Sequence, residues 1–131
     1  MHGGIDILVN NAAVNDFTFL MTQSAESLDA AIATNLLAPI DLCRRLITRL
    51  ERSEDAHILN IGSVFGSIGF AGSSVYCATK FGLRGFSEAL RRELADTSIR
   101  VHHFAPRATR TAFNSDAVND LNEALGTASD E

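Results

Sequence analysis

Tyr76 and Lys80 stand four residues apart and are the chain's single tyrosine and single lysine. Four residues is about one helical turn, so on a helix both side chains share a face, with Cβ atoms about 6 Å apart. An unperturbed tyrosine has a pKa of about 10 and is a poor base at neutral pH. A lysine ammonium about 5 Å away, at an effective dielectric of ~20, favours the phenolate by roughly 3 kcal/mol. That is on the order of two pKa units and would bring Tyr76 toward general acid–base work. The plainer reading is an exposed pair on a helix surface, because Tyr-x3-Lys alone is a weak motif. Ser63 lies 13 residues before Tyr76. A serine at a strand end can donate to a substrate carbonyl; by itself it more often closes a turn. Asn35 has low helix propensity and by itself reads as bonding its own backbone or a water.

The elements that must position these residues follow from patterning. Ile5–Asn10 (IDILVN) is a nearly continuous apolar run, the pattern of a strand buried on both faces of a parallel sheet. Ser24 is an N-cap candidate with Glu26 in the first turn, and a helical pattern runs from there to about Arg52. Pro39 removes a backbone donor, so a kink or break is expected near Asn35–Leu36. His57–Ile61 is a second strand, and residues 62–73 form a Gly- and Ser-rich loop. Ser74–Asp96 is a long helix with the stripe Val75, Thr79, Leu83, Phe86, Leu90 and Leu94. Gly82 and Gly85 within it each cost about 1 kcal/mol and imply close approach of a neighbour. Arg100–Phe104 is a third strand, Pro106 opens a loop, and residues 114–126 suit a short helix. The order is βαβαβ, part of a Rossmann-like, doubly wound parallel α/β sheet, here incomplete. Ligands bind beyond the carboxyl ends of such strands, which here means Asn10–Ala13, Gly62–Ser63 and Ala105–Thr111.

Composition excludes several function classes. The 131 residues make one domain, and no apolar run spans a membrane. MHGGIDILVNN has no basic n-region and no cleavage site, so no secretory signal is expected. The net charge of −5 comes from the end segment: no Lys or Arg follows Arg110, while five acids do. Residues 1–110 carry 11 acids against 11 bases, which leaves no basic footprint for nucleic acid. Residues 112–131 read as an acidic, solvated tail or short helix. Cys43 and Cys77 fall on separate helices, so a disulfide is not expected and a reducing cytoplasm is the simpler context. His102 and His103 are adjacent on a strand and point to opposite faces, so they cannot share a metal, and no metal site is expected. Gly85-Phe86-Ser87 looks like a nucleophile elbow but lies inside a helix.

Taken together, Asp6–Ala13 (DILVNNAA), Asn35, Ser63 after L-N-I-G, and Tyr76–Lys80 (YCATK) resemble the short-chain dehydrogenase/reductase family. The likeness runs from Gly4 to about Thr111, and the ordered set Asn, Ser, Tyr, Lys is its specific part. It implies an oxidoreductase that moves hydride between NAD or NADP and a small carbonyl or alcohol substrate. By similarity Tyr76 is the acid or base, Lys80 binds the nicotinamide ribose and depresses the Tyr76 pKa, and Ser63 orients the substrate oxygen. Asn35 would hold a water in a proton relay behind Lys80. Asn10, Asn11, Ala12 and Ala13 would line the adenosine side of the cofactor. Pro106, Arg107, Thr109 and Thr111 would border the nicotinamide and phosphates. The resemblance also implies a homodimer or homotetramer in the complete protein, with helices 24–52 and 74–96 pairing across the interface.

Three departures qualify the likeness. Ala13 and Arg107 stand where the family usually has Gly, and Arg107 or Arg110 could instead reach a cofactor phosphate. The family's Thr-Gly-x3-Gly-x-Gly segment does not occur in the chain. Gly62-x3-Gly66-x2-Gly69 follows a strand, but its spacing differs and no acid sits about 20 positions on. The expectation is therefore a single partial Rossmann domain, residues 1–131, lacking the first βαβαβ half and the last C-terminal part. Its isolated form would be inactive, and Ile5–Asn10 would present an unpaired apolar edge. The competing functions are a cofactor-free fragment acting only as a folding or oligomerisation module, and an epimerase or lyase on the same scaffold.

Overall fold

The computed structural model describes residues 3–106, 108–109 and 128–129. Strand β1 (Ile7–Asn10) is followed by helix α1 (Ala25–Ile32), a π-helical turn (Ala33–Leu37) and helix α2 (Ala38–Leu50). Strand β2 (Ala56–Ile61), helix α3 (Ser74–Glu93) and strand β3 (Ile99–Phe104) complete the expected alternation. Beyond them, the backbones of β4 (Ala108–Thr109) and β5 (Ala128–Ser129) pair in parallel. Arg107, Arg110, Thr111 and the 114–126 segment lie outside the described residues, as do the side chains of 108–109 and 128–129.

The three main strands form one parallel sheet in the order β1-β2-β3. Leu8 stands opposite Ile58, and Ile58 opposite Val101. Strand alternation then sends Ala56, Ile58, Ile99 and Val101 to one face, where they are buried with Cys43, Leu50, Leu90 and Leu94. Leu50 and Ile58 are fully buried, and truncating either to Ala would cost about 2–5 kcal/mol. The apolar pattern of β1 predicts a strand covered on both faces; here the second face is bare among the described residues. Ile7, Val9 and Phe104 lie on it, 61%, 51% and 57% exposed. The strand is apolar on both sides, but α1, α2 and α3 cover only one.

Ser24 caps α1 as expected, accepting from Ser27 N at 3.1 Å. Where a kink or break is expected near Asn35–Leu36, the α-helix is interrupted by the π-helical turn Ala33–Leu37. The residues flanking the π-helical turn keep right-handed helical angles, and Ala38 N donates to Ala33 O, five residues back. Pro39 has no N–H for the carbonyl of Asn35, four residues before it, and the π-helical turn lies directly ahead of that proline. Inside α3 the expected stripe is buried apart from Phe86, which is half-buried. At Gly82 an added Cβ would lie 3.1 Å from Leu36 Cδ1, so this glycine lets α3 approach the π-helical turn. Gly85 faces open space.

A chain of buried polar groups links sheet and helix. Asn10 Nδ2 donates to Asn60 Oδ1 at 2.8 Å, Asn60 Nδ2 to Ser87 Oγ at 2.9 Å, and Ser87 Oγ to Leu83 O at 2.7 Å. Each donor is satisfied, which is what makes these polar residues tolerable in the interior.

Candidate active site

The carboxyl end of β2 runs directly into Ser63, and the first turns of α3 bring Tyr76 and Lys80 over it. The Ser63 hydroxyl accepts from Phe65 N at 3.2 Å and is hydrogen-bonded to the Tyr76 side chain. Lys80 is 4% exposed; its Nζ donates to Ile61 O at 3.1 Å and lies 5.7 Å from the Tyr76 ring centroid. Three of the four residues singled out by spacing thus converge at one strand end.

The electrostatics differ from the expectation. Burial raises the Tyr76 pKa above its ordinary value, and the Ser63 hydrogen bond opposes that rise. The Lys80 ammonium does not bring the phenol down as the i,i+4 argument predicts. It is turned to a backbone carbonyl, and its own burial lowers its pKa. Desolvation of a tyrosine wedged among aromatic rings outweighs a cation directed elsewhere.

Asn35 is buried, and its side chain clamps the backbone of Val14. Val14 N donates to Asn35 Oδ1 and Asn35 Nδ2 to Val14 O, both at 2.8 Å. The same amide reaches Thr79 Oγ1, next to Lys80, at 3.3 Å. The side chain therefore fixes the loop after β1.

The Asn10–Ala13 residues divide in the same way. Asn10 points into the core, bonding Asn60 and, at 3.7 Å, Cys43 Sγ. Asn11 and Ala12 are exposed and, with Thr34 and Pro39, line a groove of about 100 Å³ at the end of β1. Ala13 is half-buried and Pro106 exposed. Gly62 and Gly66 of the 62–69 loop serve packing, while Gly69 faces open space. A Cβ on Gly66 would stand 3.1 Å from Lys80 O, and one on Gly62 would fall on the His103 ring.

Spacing missed the aromatic wall around Tyr76. The Phe65 ring meets Tyr76 edge-on at 5.8 Å and stacks on Phe70 at 4.3 Å. Phe17 crosses over Gly72, whose φ of 84° and closeness to that ring exclude a side chain. The only signal was the density of Phe in a Gly-rich loop. His102 and His103 part to opposite faces, as expected. His102 bonds His57 on the bare face at 3.0 Å, and the His57 ring also meets Asp55 at 2.9 Å. His103 packs on Gly62, where burial first, then Arg84, Lys80 and Arg91, lower its pKa. No group of three or more His, Cys, Asp or Glu among the described residues could hold a metal. None of the described helices is long and apolar enough to cross a membrane.

The short chain dehydrogenase family model matches residues 1–122. The bovine (Bos taurus) 3-oxoacyl-[acyl-carrier-protein] reductase is 39% identical over 123 residues, 94% of this chain and 50% of that protein. Carbonyl reductase family member 4 of Xenopus laevis is 36% identical over 124 residues, 94% of this chain and 52% of that protein. Among solved structures, a 4-hydroxyisoleucine dehydrogenase complexed with NADH and succinate superposes with a TM-score of 0.80 at 29% identity, covering 91% of this chain and 51% of that one. The chain spans about half the length of the curated relatives it matches.

Proposed function

The chain belongs to the short-chain dehydrogenase family, and from that premise we propose that it carries the acid–base face of a nicotinamide-dependent carbonyl reductase that also works in reverse as an alcohol dehydrogenase. The observation that carries this reading is the convergence of Ser63, Tyr76 and Lys80 at the carboxyl end of β2. Tyr76 would protonate the carbonyl oxygen; the rise that burial gives its pKa works against that role, so the acid assignment rests on the geometry with Ser63 and Lys80. Ser63 would donate to that same oxygen and hold it against Tyr76. The Phe65 and Phe70 rings would exclude water from the reacting carbonyl.

The residues present fit a nicotinamide cofactor in part. NAD or NADP, when bound, supplies or receives the hydride. An ammonium has three N–H groups, and one Lys80 N–H goes to Ile61 O. The others would take ribose hydroxyls. The groove lined by Asn10, Asn11 and Ala12 would receive the adenosine side, with Ala13 next to it in the chain. Pro106 and Thr109, with Arg107 and Thr111, would border the nicotinamide and the phosphates. Behind Lys80, Asn35 would hold a water in the relay that returns a proton to Tyr76. The Thr-Gly-x3-Gly-x-Gly segment is not among these residues, so the 131-residue chain by itself would not hold NAD(H) or NADP(H).

The substrate would be a small ketone or its secondary alcohol, the class that the matched reductases' names describe. In the complete protein the outer faces of α1, α2 and α3 would join copies into a dimer or tetramer. Leu28 and Phe81 are exposed there, and Gly85 leaves room for a facing helix. Cys43 and Cys77, both buried and unbridged, agree with a reducing, cytoplasmic setting.

The test is carbonyl reduction by the reading frame extended upstream to include a glycine-rich phosphate segment, with NADH and NADPH in parallel. Tyr76→Phe should lower kcat by about 10²-fold or more. Undiminished turnover in that variant rejects the acid role.

A further inference from the structure

Between the 14–18 loop and the start of α3 lies a cavity of about 10 Å³, lined by Asn15, Thr18, Gln23, Ser73 and Tyr76 among others. Two buried side-chain atoms at this cavity have no hydrogen-bond partner: Asn15 Oδ1 and Ser73 Oγ. Ser73 is 2% exposed. It is also the N-cap residue of α3, where a serine ordinarily accepts from an amide of the first turn, yet its side chain makes no cap bond. A hydroxyl that forgoes its local partner and is buried at a cavity needs another one.

The loop cannot slide to let Asn15 and Ser73 meet. Thr18 N donates to Gly72 O at 2.9 Å, Ser27 Oγ to Asp16 Oδ2 at 2.6 Å, and the Asn35 amide grips Val14 on both sides. The loop is pinned before, at and after the cavity. The remaining space is about that of one water-sized sphere, and a buried water typically joins two to four polar groups. A water there could donate to Asn15 Oδ1 and accept from the Ser73 hydroxyl.

We propose that this cavity binds one structural water shared by Asn15 and Ser73, and that these two residues are positioning residues for Tyr76. The water ties the loop after β1 to the turn of α3 that carries Tyr76, three residues past Ser73. Neither Asn35 nor Lys80 is among the cavity's lining residues, so this water is distinct from one held behind Lys80. The functional weight of the proposal rests on Tyr76 being the acid.

The experiment uses the unaltered chain first. High-resolution diffraction, or water–protein nuclear Overhauser effects in solution, should show one long-lived water within hydrogen-bond distance of Asn15 and Ser73. A dry cavity, or a water bonded to neither residue, overturns the proposal. The second arm uses Tyr76 as its own probe, since the chain has one Tyr and no Trp. Ser73→Ala and Asn15→Ala should each weaken the near-ultraviolet circular dichroism of Tyr76, with the far-ultraviolet helix signal unchanged. The double variant should lose no more than the larger single loss, because either change releases the shared water. Additive losses, or an unchanged tyrosine signal, refute the positioning role. These readouts need neither substrate nor cofactor. A failure here leaves the acid assignment standing, and undiminished reduction by Tyr76→Phe leaves the water standing.

Discussion

Gly62→Ala probes how closely the sheet end is packed beneath Ser63. Gly62 N donates to Phe104 O at 2.6 Å, and its φ is not positive, so alanine suits the backbone there. Sterics are the obstacle. The added Cβ would fall on His103 Nε2 and lie 2.5 Å from Cε1 and 3.3 Å from Cδ2. Carbon atoms pack at about 3.5–4.0 Å, so the imidazole must withdraw by about 1 Å or leave its site. Overpacking of this kind costs about 1–3 kcal/mol. Replacing glycine at a compatible site returns roughly 0.4–1 kcal/mol through the unfolded chain. The net expectation is a loss of about 1–2 kcal/mol. In a His103→Ala background the obstruction is gone, and the same change should be neutral or mildly stabilising. The two sites should then show a coupling of about 1.5–3 kcal/mol in a double-mutant cycle. Urea unfolding of the four proteins measures it. If Gly62→Ala costs the same with and without His103, the ring is not what fills the space above Gly62.

Three further outcomes are expected. Ser87→Ala leaves the buried Asn60 amide without its acceptor and should cost about 1–3 kcal/mol by urea unfolding. Tyr76 should ionise above the ordinary tyrosine range in a phenolate absorbance titration, and Ser63→Ala, which removes the opposing hydrogen bond, should move it higher still. Burial pushes the Cys43 thiol up to about 11 from 9.0, so it should resist thiol reagents at neutral pH. Because the folded state holds that proton more tightly, the associated stability is whole below pH 9 and is lost as pH rises toward 11, on the order of 2 kcal/mol, seen as a falling urea midpoint.

Much of the site was legible because it depends on local geometry. Tyr76 and Lys80 needed only the helix repeat, and Ser63 only the end of an apolar run. The strands fall within two residues of their expected bounds for the same reason. Features set by distant contacts were not legible. The Tyr76 pKa turns on Phe65 and Phe70 closing around it, and on Lys80 finding Ile61 O. Asn35 grips Val14 only once the chain has doubled back. Gly82 needed Leu36 as a neighbour before its lack of a side chain made sense. The open second face of the sheet also escaped the pattern, because an apolar run records what a strand is suited to touch and not what this chain supplies.

The π-helical turn has a consequence for how this stretch can change in length. Ala31 and Cys43 are both buried, yet twelve α-helical steps at about 100° each would set them about 120° apart. One extra residue taken up in the wider turn brings them to within about 20°. The turn works as a phase adapter that lets α1 serve the Val14 loop while α2 serves the sheet. A one-residue deletion between 33 and 37 would restore an unbroken α-helix and yet be more damaging than most surface deletions. It would rotate α2 by about 100° against α1, taking either Cys43 and Leu50 off the core or Asn35 off Val14. Insertions and deletions in this lineage should therefore fall in the loops at 14–23 and 51–55 and spare the helix between them.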